Sequence, residues 1–257
     1  MHAGAAVALL AVPSQWPWAL AALAANHAVL TAVGLWPRST ALGENLVRLP
    51  AASAARHEVA LTIDDGPDPE VTPAVLDLLD AAGARATFFC IAARASRHPA
   101  LVREIVARGH SVQNHSQHHR HGFSLLGPRG FAREIEAAQQ VLRELAGESP
   151  RFFRAPAGLR NPFLAPVLHR LGLSLASWTR RGFDTRERDP RRVLRRLTRG
   201  LAAGDILLLH DGHGARDAQG RPVVLAVLPA LLAELRRLRL VPVTLDQACA
   251  PARSAAP

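Results

Sequence analysis

The chain contains no lysine, so its basic side chains other than histidine are all arginines. These 31 arginines outnumber the 21 acidic residues and leave a formal net charge of +10. A surface this basic favours anionic partners such as lipid headgroups or acidic polymers. A biased genome composition would also produce a chain rich in arginine and alanine. The charge alone therefore does not assign a partner.

Aromatic residues and cysteines are also scarce. Aromatics make up 5% of the chain, and no zinc-finger spacing or aromatic-basic RNA-binding pattern is present, so we expect no nucleic-acid partner. The two cysteines, Cys90 and Cys249, are far apart in the sequence, and we expect two unpaired, mostly buried thiols. The sequence has no internal repeat. With 257 residues and 49% hydrophobic content, it permits one large α/β domain, or a smaller domain with an appendage.

Residues 1–37 differ from the rest of the chain and predict a hydrophobic membrane anchor. Trp18–Trp36 is an apolar stretch of 19 residues. As a helix it would be about 28 Å long, close to the thickness of a hydrocarbon core. Trp16, Trp18 and Trp36 lie at its ends, where membrane proteins place interfacial aromatics. A cleaved signal peptide is disfavoured because the start lacks a basic region.

Two features leave the role and the orientation of this segment open. Asn26 and His27 in mid-span favour the alternative, an alanine-rich helix buried on the domain. Arg38, Arg48 and Arg56 follow the segment, and positive charge favours the cytoplasmic side. An enzyme acting on the cell wall would need the opposite side.

Strand-like and helix-like runs alternate after a predicted linker at 38–56. The strand-like runs are 58–63, 86–91, 110–114, 151–154, 173–177, 205–209 and 241–245. The helical runs are 73–82, 99–108, 130–146, 163–171, 190–202 and 223–238, the first with Thr72 as its N-cap. This alternation predicts an α/β fold with a parallel sheet or a (β/α) barrel over 57–250, followed by a flexible tail at 251–257. In barrels, chemistry gathers at the C-terminal ends of the strands.

Two adjacent carboxylates, Asp64 and Asp65, follow the first strand-like run. Two anions brought together need a compensating cation or a shared proton. A metal ion would supply that charge, so that one carboxylate could bind it while the other accepts a proton. The alternative interpretation is a solvated turn, since Asp and Gly are ordinary turn residues.

A cluster of histidines follows another strand-like run. His115 and His119 are four residues apart, and if the chain turns helical there, they share one face and can bind one metal ion. Imidazole nitrogens with a carboxylate suit Zn²⁺ and leave a position open for water. His118 and His121 are interpreted as structural or solvated residues.

Polar residues also follow two later strand-like runs. Arg154 can hold a carboxylate by charge-assisted hydrogen bonds. The bend at 156–158 can expose a backbone N–H of the kind used in oxyanion holes. The alternative interpretation is an ordinary surface loop. The run 205–209 is typical of a buried parallel strand and ends at His210, a candidate general acid.

The ordered set of motifs resembles the polysaccharide deacetylase family, also called carbohydrate esterase family 4, which includes the nodulation-type chitooligosaccharide deacetylase. The motifs are Thr62-Ile63-Asp64-Asp65-Gly66, His115-Ser116-x-x-His119, Arg154-x-Pro156 and Leu208-Leu209-His210, and the resemblance covers about residues 57–246. It implies a distorted (β/α) barrel with parallel strands. It also implies a metal-dependent hydrolase that removes N-acetyl or O-acetyl groups from an amino-sugar polymer or oligosaccharide.

The resemblance implies a role for each residue of these motifs. The metal ligands would be Asp65, His115 and His119. Asp64 would be the catalytic base, which takes a proton from the attacking water, and His210 the acid, which protonates the leaving amine. Arg154 would orient the acidic pair. The substrate-binding residues would be Ala157, Leu208 and Trp178, with Leu208 lining the acetyl-methyl pocket and the Ala157 N–H facing the oxyanion.

The sequence departs from the family pattern at three places. Ala157 stands where an aromatic residue usually follows the proline, so a sugar-stacking ring is lost. Arg120 replaces a usual proline, which should alter only the local loop. The family usually has closely spaced aspartates beside a tryptophan, whereas the residues after Trp178 contain widely spaced ones. We choose Asp184 as the carboxylate that orients His210, with Asp189 as the alternative.

The implied cofactor is a divalent metal, most simply Zn²⁺, with Co²⁺ or Ni²⁺ as alternatives. The implied partner is an acetylated amino-sugar substrate, and the apolar segment would anchor the enzyme at a bacterial inner membrane. The oligomeric state stays open. Two other functions also stay open. One is deacylation of a lipid-linked sugar at the membrane, which the anchor and the missing aromatic favour. The other is a non-catalytic sugar-binding member of the fold.

Overall fold

Strand β1 (Glu58–Asp64) lies at the centre of a parallel sheet, in a computed structural model that describes residue 14 and residues 16–250. Both faces of β1 are covered. Val59, Leu61 and Ile63 pack against the outer helices, whereas Ala60 belongs to a second cluster inside the curled sheet. A strand buried on both faces is typical of a parallel α/β sheet.

The other strands are β2 (Thr87–Cys90), β3 (Ser111–Asn114), β4 (Phe152–Phe153), β5 (Ser174–Leu175), β6 (Arg180–Arg181), β7 (Ile206–His210) and β8 (Val241–Val243). Their order is β5-β4-β3-β2-β1-β7-β6, with β8 paired to the first half of β1. All these pairings are parallel. The sheet curls into a half-barrel whose two ends are β5 and β6. The predicted α/β fold, a distorted barrel with parallel strands, is confirmed.

Ten α-helices accompany the sheet in the described residues. They are α1 (Trp16–Gly34), α2 (Ala51–Ala55), α3 (Thr72–Ala81), α4 (Ala92–Ala95), α5 (Pro99–Ala107), α6 (Pro128–Ala146), α7 (Leu164–Arg170), α8 (Pro190–Thr198), α9 (Val223–Arg237) and α10 (Leu245–Ala248). Helices α3 and α9 pack on the outer face of β1, where Val75, Leu79 and Leu231 are fully buried. Every strand therefore ends on the same side of the sheet, and the residues after those ends can meet.

Two local predictions are wrong. Thr72 is the first residue of α3 and not its N-cap: its hydroxyl accepts from the Asp68 N–H at 2.8 Å and donates to Asp211 Oδ2 at 2.5 Å. Strand β6 was not predicted, because two consecutive arginines carry no apolar signal. It forms because Arg180 and Arg181 pair with Leu207 and Leu208 of β7.

Helix α1 matches the predicted apolar segment, and it is long and apolar enough to cross a membrane. Gly34 is its only buried residue, so it is not a helix buried on the domain. Residues 1–13 and 15 of the predicted anchor, and the predicted tail, 251–257, lie outside the described residues. The domain boundaries stay predictions.

The range predicted as a linker, 38–56, is in contact with the domain. Leu46 exchanges backbone hydrogen bonds with Leu175 and Ser177, at 2.8 and 2.9 Å. Leu49 is buried in the cluster inside the curled sheet. The segment that leads from α1 to β1 is therefore held against the domain at Leu46 and Leu49.

Candidate active site

A cavity of about 680 Å³ opens at the carboxyl ends of the strands. Eight of the residues predicted from the motifs line it: Asp64, Asp65, His115, His119, Ala157, Trp178, Leu208 and His210. The other two, Arg154 and Asp184, are buried, and each contacts one of the lining residues. The structure thus brings together residues that span about 150 positions of the chain.

Asp64 ends β1 and is held by Arg154. One guanidinium nitrogen, Nη1, donates to Asp64 Oδ1 at 2.7 Å and to the Thr62 hydroxyl at 2.7 Å. The other donors of Arg154 bond the carbonyls of Ala176 and Ser177, and its guanidinium carbon lies 4.0 Å from the centre of the Phe89 ring. Burial lowers the pKa of Arg154, and Asp64 opposes that shift. Arg154 is therefore a fixed cation that orients the Asp64 carboxylate.

Asp65, His115 and His119 place their ligand atoms within 4.8 Å of one another, a possible metal site. Asp65 Oδ1 is buried without a hydrogen-bond partner, and the Nε2 atoms of both histidines lie 3.2 Å from it. Nδ1 of His115 donates to the Arg154 carbonyl at 2.8 Å, which leaves its Nε2 lone pair free to face the site. This donor set, one carboxylate oxygen and two imidazole nitrogens, fits a metal such as Zn²⁺.

The ionisation states of Asp65 and His119 also favour binding of a cation. Burial opposes ionisation of Asp65, but its interactions with His115 and His213 outweigh burial and hold its pKa well below its usual range. Burial lowers the pKa of His119 to about 4. His119 is therefore neutral near pH 7, which is the form that binds a metal.

The segment that carries the two histidines is a loop, so the helical turn considered as one way to bring them together is not what the structure uses. Ser116 and His119 have positive φ, 68° and 52°. The side chain of Asn114 accepts from the Ser116 N–H at 2.9 Å, and the Ser116 hydroxyl accepts from the His119 N–H at 3.0 Å. These side-chain bonds compete with a helix and shape a tight loop. The loop still brings the rings of His115 and His119 to 4.8 Å between centroids.

His210 ends β7 and is the direct partner of Asp64 in the ladder between β7 and β1. Asp184 accepts from its backbone N–H at 2.8 Å and contacts its ring Nδ1 at 2.9 Å. Burial lowers the pKa of His210, but the charge and hydrogen bond of Asp184 outweigh it and raise the pKa to about 9. Asp189, the alternative partner, instead accepts from the Arg191 N–H at the start of α8.

The lining of the cavity includes strained backbone. Asp65, His119, Ala157 and His213 are non-glycine residues with φ between 52° and 75°. Such conformations cost free energy and cluster at functional sites. At Ala157 the conformation lies in a short 3₁₀ turn (Pro156–Gly158) and leaves the residue exposed at the cavity wall.

Four residues of the cavity lining were not predicted from the sequence: Arg181, Thr185, Arg186 and His213. Nδ1 of His213 lies 3.2 Å from Asp65 Oδ2, and Arg94 donates to its Nε2 at 2.7 Å. Because Nε2 accepts, Nδ1 carries the proton and engages Oδ2, which leaves Oδ1 of Asp65 facing His115 and His119. The position of His213, three residues beyond a strand end, was the available signal. Arg181 also lines the cavity, in the strand that was not predicted.

His118, predicted to be structural or solvated, pairs with Glu134 through Nδ1 at 3.0 Å. The other residue in that prediction, His121, is exposed at the edge of the cavity.

The chain is similar in sequence to known deacetylases. Residues 51–176 match the profile of the polysaccharide deacetylase family. A peptidoglycan-N-acetylglucosamine deacetylase of Bacillus cereus is 33% identical over 181 residues, 70% of this chain and 82% of that protein. A chitooligosaccharide deacetylase of Sinorhizobium fredii is 33% identical over 200 residues, 73% of this chain and 89% of that protein.

A solved structure supports the same relationship. The family 4 carbohydrate esterase from Streptomyces lividans in complex with acetate matches with a TM-score of 0.65 at 32% identity, over 72% of this chain and 91% of that chain. The chain belongs to the polysaccharide deacetylase family and is a deacetylase, a hydrolase. The predictions of family and enzyme class are confirmed. The matched family profile ends before Asp184 and His210, so their pairing is known from the structure alone.

Proposed function

We propose that the protein removes N-acetyl groups from an amino-sugar polymer or oligosaccharide, with Asp64 as the base and His210 as the acid. The observation that carries this proposal is the pairing of Asp64 with His210 across adjacent strands, each oriented by a buried ion partner, Arg154 and Asp184. A base and an acid on the same cavity are what hydrolysis of an amide requires.

Asp65, His115 and His119 would hold a divalent metal beside this pair. When bound, the metal supplies Lewis acidity and positive charge at the scissile carbonyl and lowers the pKa of water. Arg154 keeps Asp64 oriented toward the cavity, so its carboxylate can take one proton from the attacking water. Asp64 and Asp65 thus have separate tasks in the proposal, although they are adjacent in the chain.

The remaining groups act on the acetyl group and the leaving group. Water adds to the amide carbonyl, and the backbone N–H of Ala157 donates to the developing oxyanion, an effect worth about 10²–10³ in kcat per donor. Leu208 and Trp178 line the same cavity and offer apolar surface for the acetyl methyl and the sugar ring. His210 then gives its proton to the leaving nitrogen as the C–N bond breaks. The products are acetate and a free amino sugar.

The names of the relatives support an acetylated glucosamine substrate. One is a peptidoglycan-N-acetylglucosamine deacetylase, and another is a chitooligosaccharide deacetylase. The test is to measure acetate release from chitooligosaccharides, from peptidoglycan and from lipid-linked amino sugars, with and without a chelator. We expect release from at least one class, loss with the chelator and recovery with Zn²⁺. A folded, metal-loaded protein that releases acetate from none of them would refute the proposal.

Attachment to a membrane, with a lipid-linked sugar as substrate, is a second candidate. It is favoured by the exposure of α1 and by the packing of its C-terminal end at the cavity. The Gly34 carbonyl accepts from the Arg160 N–H at 3.2 Å, and the Ser177 hydroxyl donates to the Pro37 carbonyl at 2.7 Å. Pro37 also packs against Gly158, which lines the cavity. A membrane that held α1 would therefore lie beside the cavity.

Sedimentation of the full chain with phospholipid vesicles tests this second candidate. Leu20 is exposed on α1, and an arginine there would cost several kcal/mol in a bilayer. We expect Leu20→Arg to weaken co-sedimentation. Leu125→Arg introduces the same change at an exposed leucine outside α1 and should leave it unchanged. Equal behaviour of the two variants would contradict the membrane assignment.

A further inference from the structure

Arg181 is an arginine of the cavity wall that forms no ion pair within 4.0 Å with any described residue. It lies on β6 directly opposite Leu208, which lines the same cavity. Its guanidinium carbon lies 5.3 Å from the centre of the Trp178 ring and 5.0 Å from that of Phe183. Contact with two aromatic faces fixes the guanidinium without using its hydrogen-bond donors. Its Nε is buried and makes no hydrogen bond in the part of the chain that the structure describes.

A second arginine of the cavity lining, Arg186, lies close enough to Arg181 to repel it. Burial lowers the pKa of Arg181; Asp64, Asp184 and Asp65 oppose that shift, and Arg186 adds to it. Two like charges at one wall destabilise each other, and a bound anion would offset both the repulsion and the burial.

The nearby acids are already engaged. Asp64 is held by Arg154 at 2.7 Å, Asp184 by His210 at 2.9 Å and Asp65 by His213 at 3.2 Å. Within the described residues, neither Arg181 nor Arg186 has an ion-pair partner within 4.0 Å. Arg120, the third arginine of the lining, differs because its Nε lies 3.1 Å from Glu134. Among the arginines of the cavity lining, only Arg181 and Arg186 therefore lack a direct ion pair with the described residues.

We propose that Arg181 and Arg186 form an anion subsite, so that the preferred substrate is an acetylated amino sugar that also carries a carboxylate or a phosphate. This inference rests on the proposed function and narrows its substrate class. Adjacent strands are about 5 Å apart, so an anion at Arg181 lies within one sugar unit of Leu208. A guanidinium binds carboxylate and phosphate alike through two parallel N–H···O bonds.

Three substrates separate the possible anions. They are neutral diacetylchitobiose, its 1-phosphate, and the disaccharide in which the reducing sugar bears a lactyl ether carboxylate. For wild-type enzyme we expect kcat/KM to be about 10- to 100-fold higher for at least one charged substrate, the range for hydrogen bonds to a charged group. Comparison of the phosphate-bearing and carboxylate-bearing substrates then shows which of the two anions the subsite prefers. The advantage should shrink at high ionic strength.

The variants test the two arginines. Arg181→Gln and Arg186→Gln should each reduce the ratio of charged to neutral kcat/KM by tenfold or more, because glutamine removes the charge and retains a polar side chain. Arg195→Gln removes the same charge from an exposed position on α8 outside the cavity lining and should keep the wild-type ratio. An unchanged ratio in both cavity variants, or a wild-type preference for the neutral disaccharide, would overturn the subsite.

A binding measurement separates this inference from the proposed function. N-acetylglucosamine 1-phosphate and N-acetylglucosamine can be titrated calorimetrically into metal-loaded protein. We expect tighter binding of the phosphorylated sugar, with the difference lost in Arg181→Gln and kept in Arg195→Gln. If no substrate releases acetate but this difference is present, the proposed function fails and the anion subsite stands. Equal affinities in wild-type protein would refute the subsite whatever the activity.

Discussion

Asp184 holds both the backbone and the ring of His210. One carboxylate oxygen accepts the His210 N–H and the other contacts Nδ1, although the two residues are 26 positions apart. Asp184 is fully buried, and His210 is nearly so. The contact fixes the direction of the ring and stabilises its protonated form, which is the form that a general acid needs.

The pH dependence of kcat/KM should report this pair. The pKa of His210 is raised to about 9, so the acid form is present at neutral pH and is lost as pH rises through about 9. We expect activity to fall on the alkaline side near that value. In Asp184→Asn the negative charge is gone and burial lowers the pKa, so the alkaline limb should move down by about one to two pH units. Asp189→Asn, which alters a carboxylate outside this pair, should keep the wild-type profile.

Replacing His210 itself should slow turnover without loss of metal. His210→Ala should lower kcat by about 10²–10⁴, the usual range for a lost general acid. The loss should be smaller for an acetyl ester than for an acetamide, because an alkoxide leaves more readily than an amide anion. Equal losses on the two substrates, or none, would mean that another group delivers the proton.

The two adjacent aspartates should differ in their effect on metal content. Asp64→Asn should retain metal and lose turnover, because an amide cannot accept the proton of water. Asp65→Asn should weaken metal binding, because Asp65 Oδ1 is the oxygen that faces His115 and His119. Metal content by atomic spectroscopy and acetate release, measured on the same samples, distinguish the roles. Loss of metal in folded Asp64→Asn would reverse the assignment.

Metal content should depend on two of the histidines around the cavity. Wild-type protein should bind about one equivalent of a divalent metal, and His115→Ala or His119→Ala should lose most of it. His121 lines the same cavity outside the three-residue cluster, so His121→Ala is the matched control and should retain metal. Full retention in both His115→Ala and His119→Ala would refute the site.

Gly158 should be intolerant of a side chain. Its φ is 74°, and a Cβ there would lie 2.6 Å from the Trp178 ring and 2.7 Å from Pro37. We expect Gly158→Ala to lower the free energy of unfolding by about 1–3 kcal/mol and to disturb the cavity wall. Gly172→Ala isolates the backbone contribution, since Gly172 has φ 67° and a Cβ added there would meet nothing within 4 Å among the described residues. Chemical denaturation of both variants measures the difference, and equal losses would mean that crowding at Gly158 contributes nothing.

The sequence by itself determined the features that depend on short stretches of chain. Alternating strand-like and helix-like runs indicate a parallel α/β sheet, and the chemistry of such sheets lies beyond the strand ends. Asp64, Asp65, His115, His119 and His210 could therefore be selected from their places in the chain. The family motifs added their expected roles and also placed Arg154 behind the acidic pair.

Only the tertiary structure decided which distant residues meet. The choice of Asp184 over Asp189 depends on the fold of the segment after Trp178, which has no periodic pattern to read. The loop at His115–His119 depends on hydrogen bonds from Asn114 and Ser116 that compete with a helix of similar sequence. Arg181 lies at the cavity wall because β6 forms by pairing with β7. The sequence around Arg181 does not indicate that pairing, so its place in the cavity could be found only from the structure. Local propensity carries no information about such contacts, since their free energy comes from segments that are far apart in the chain.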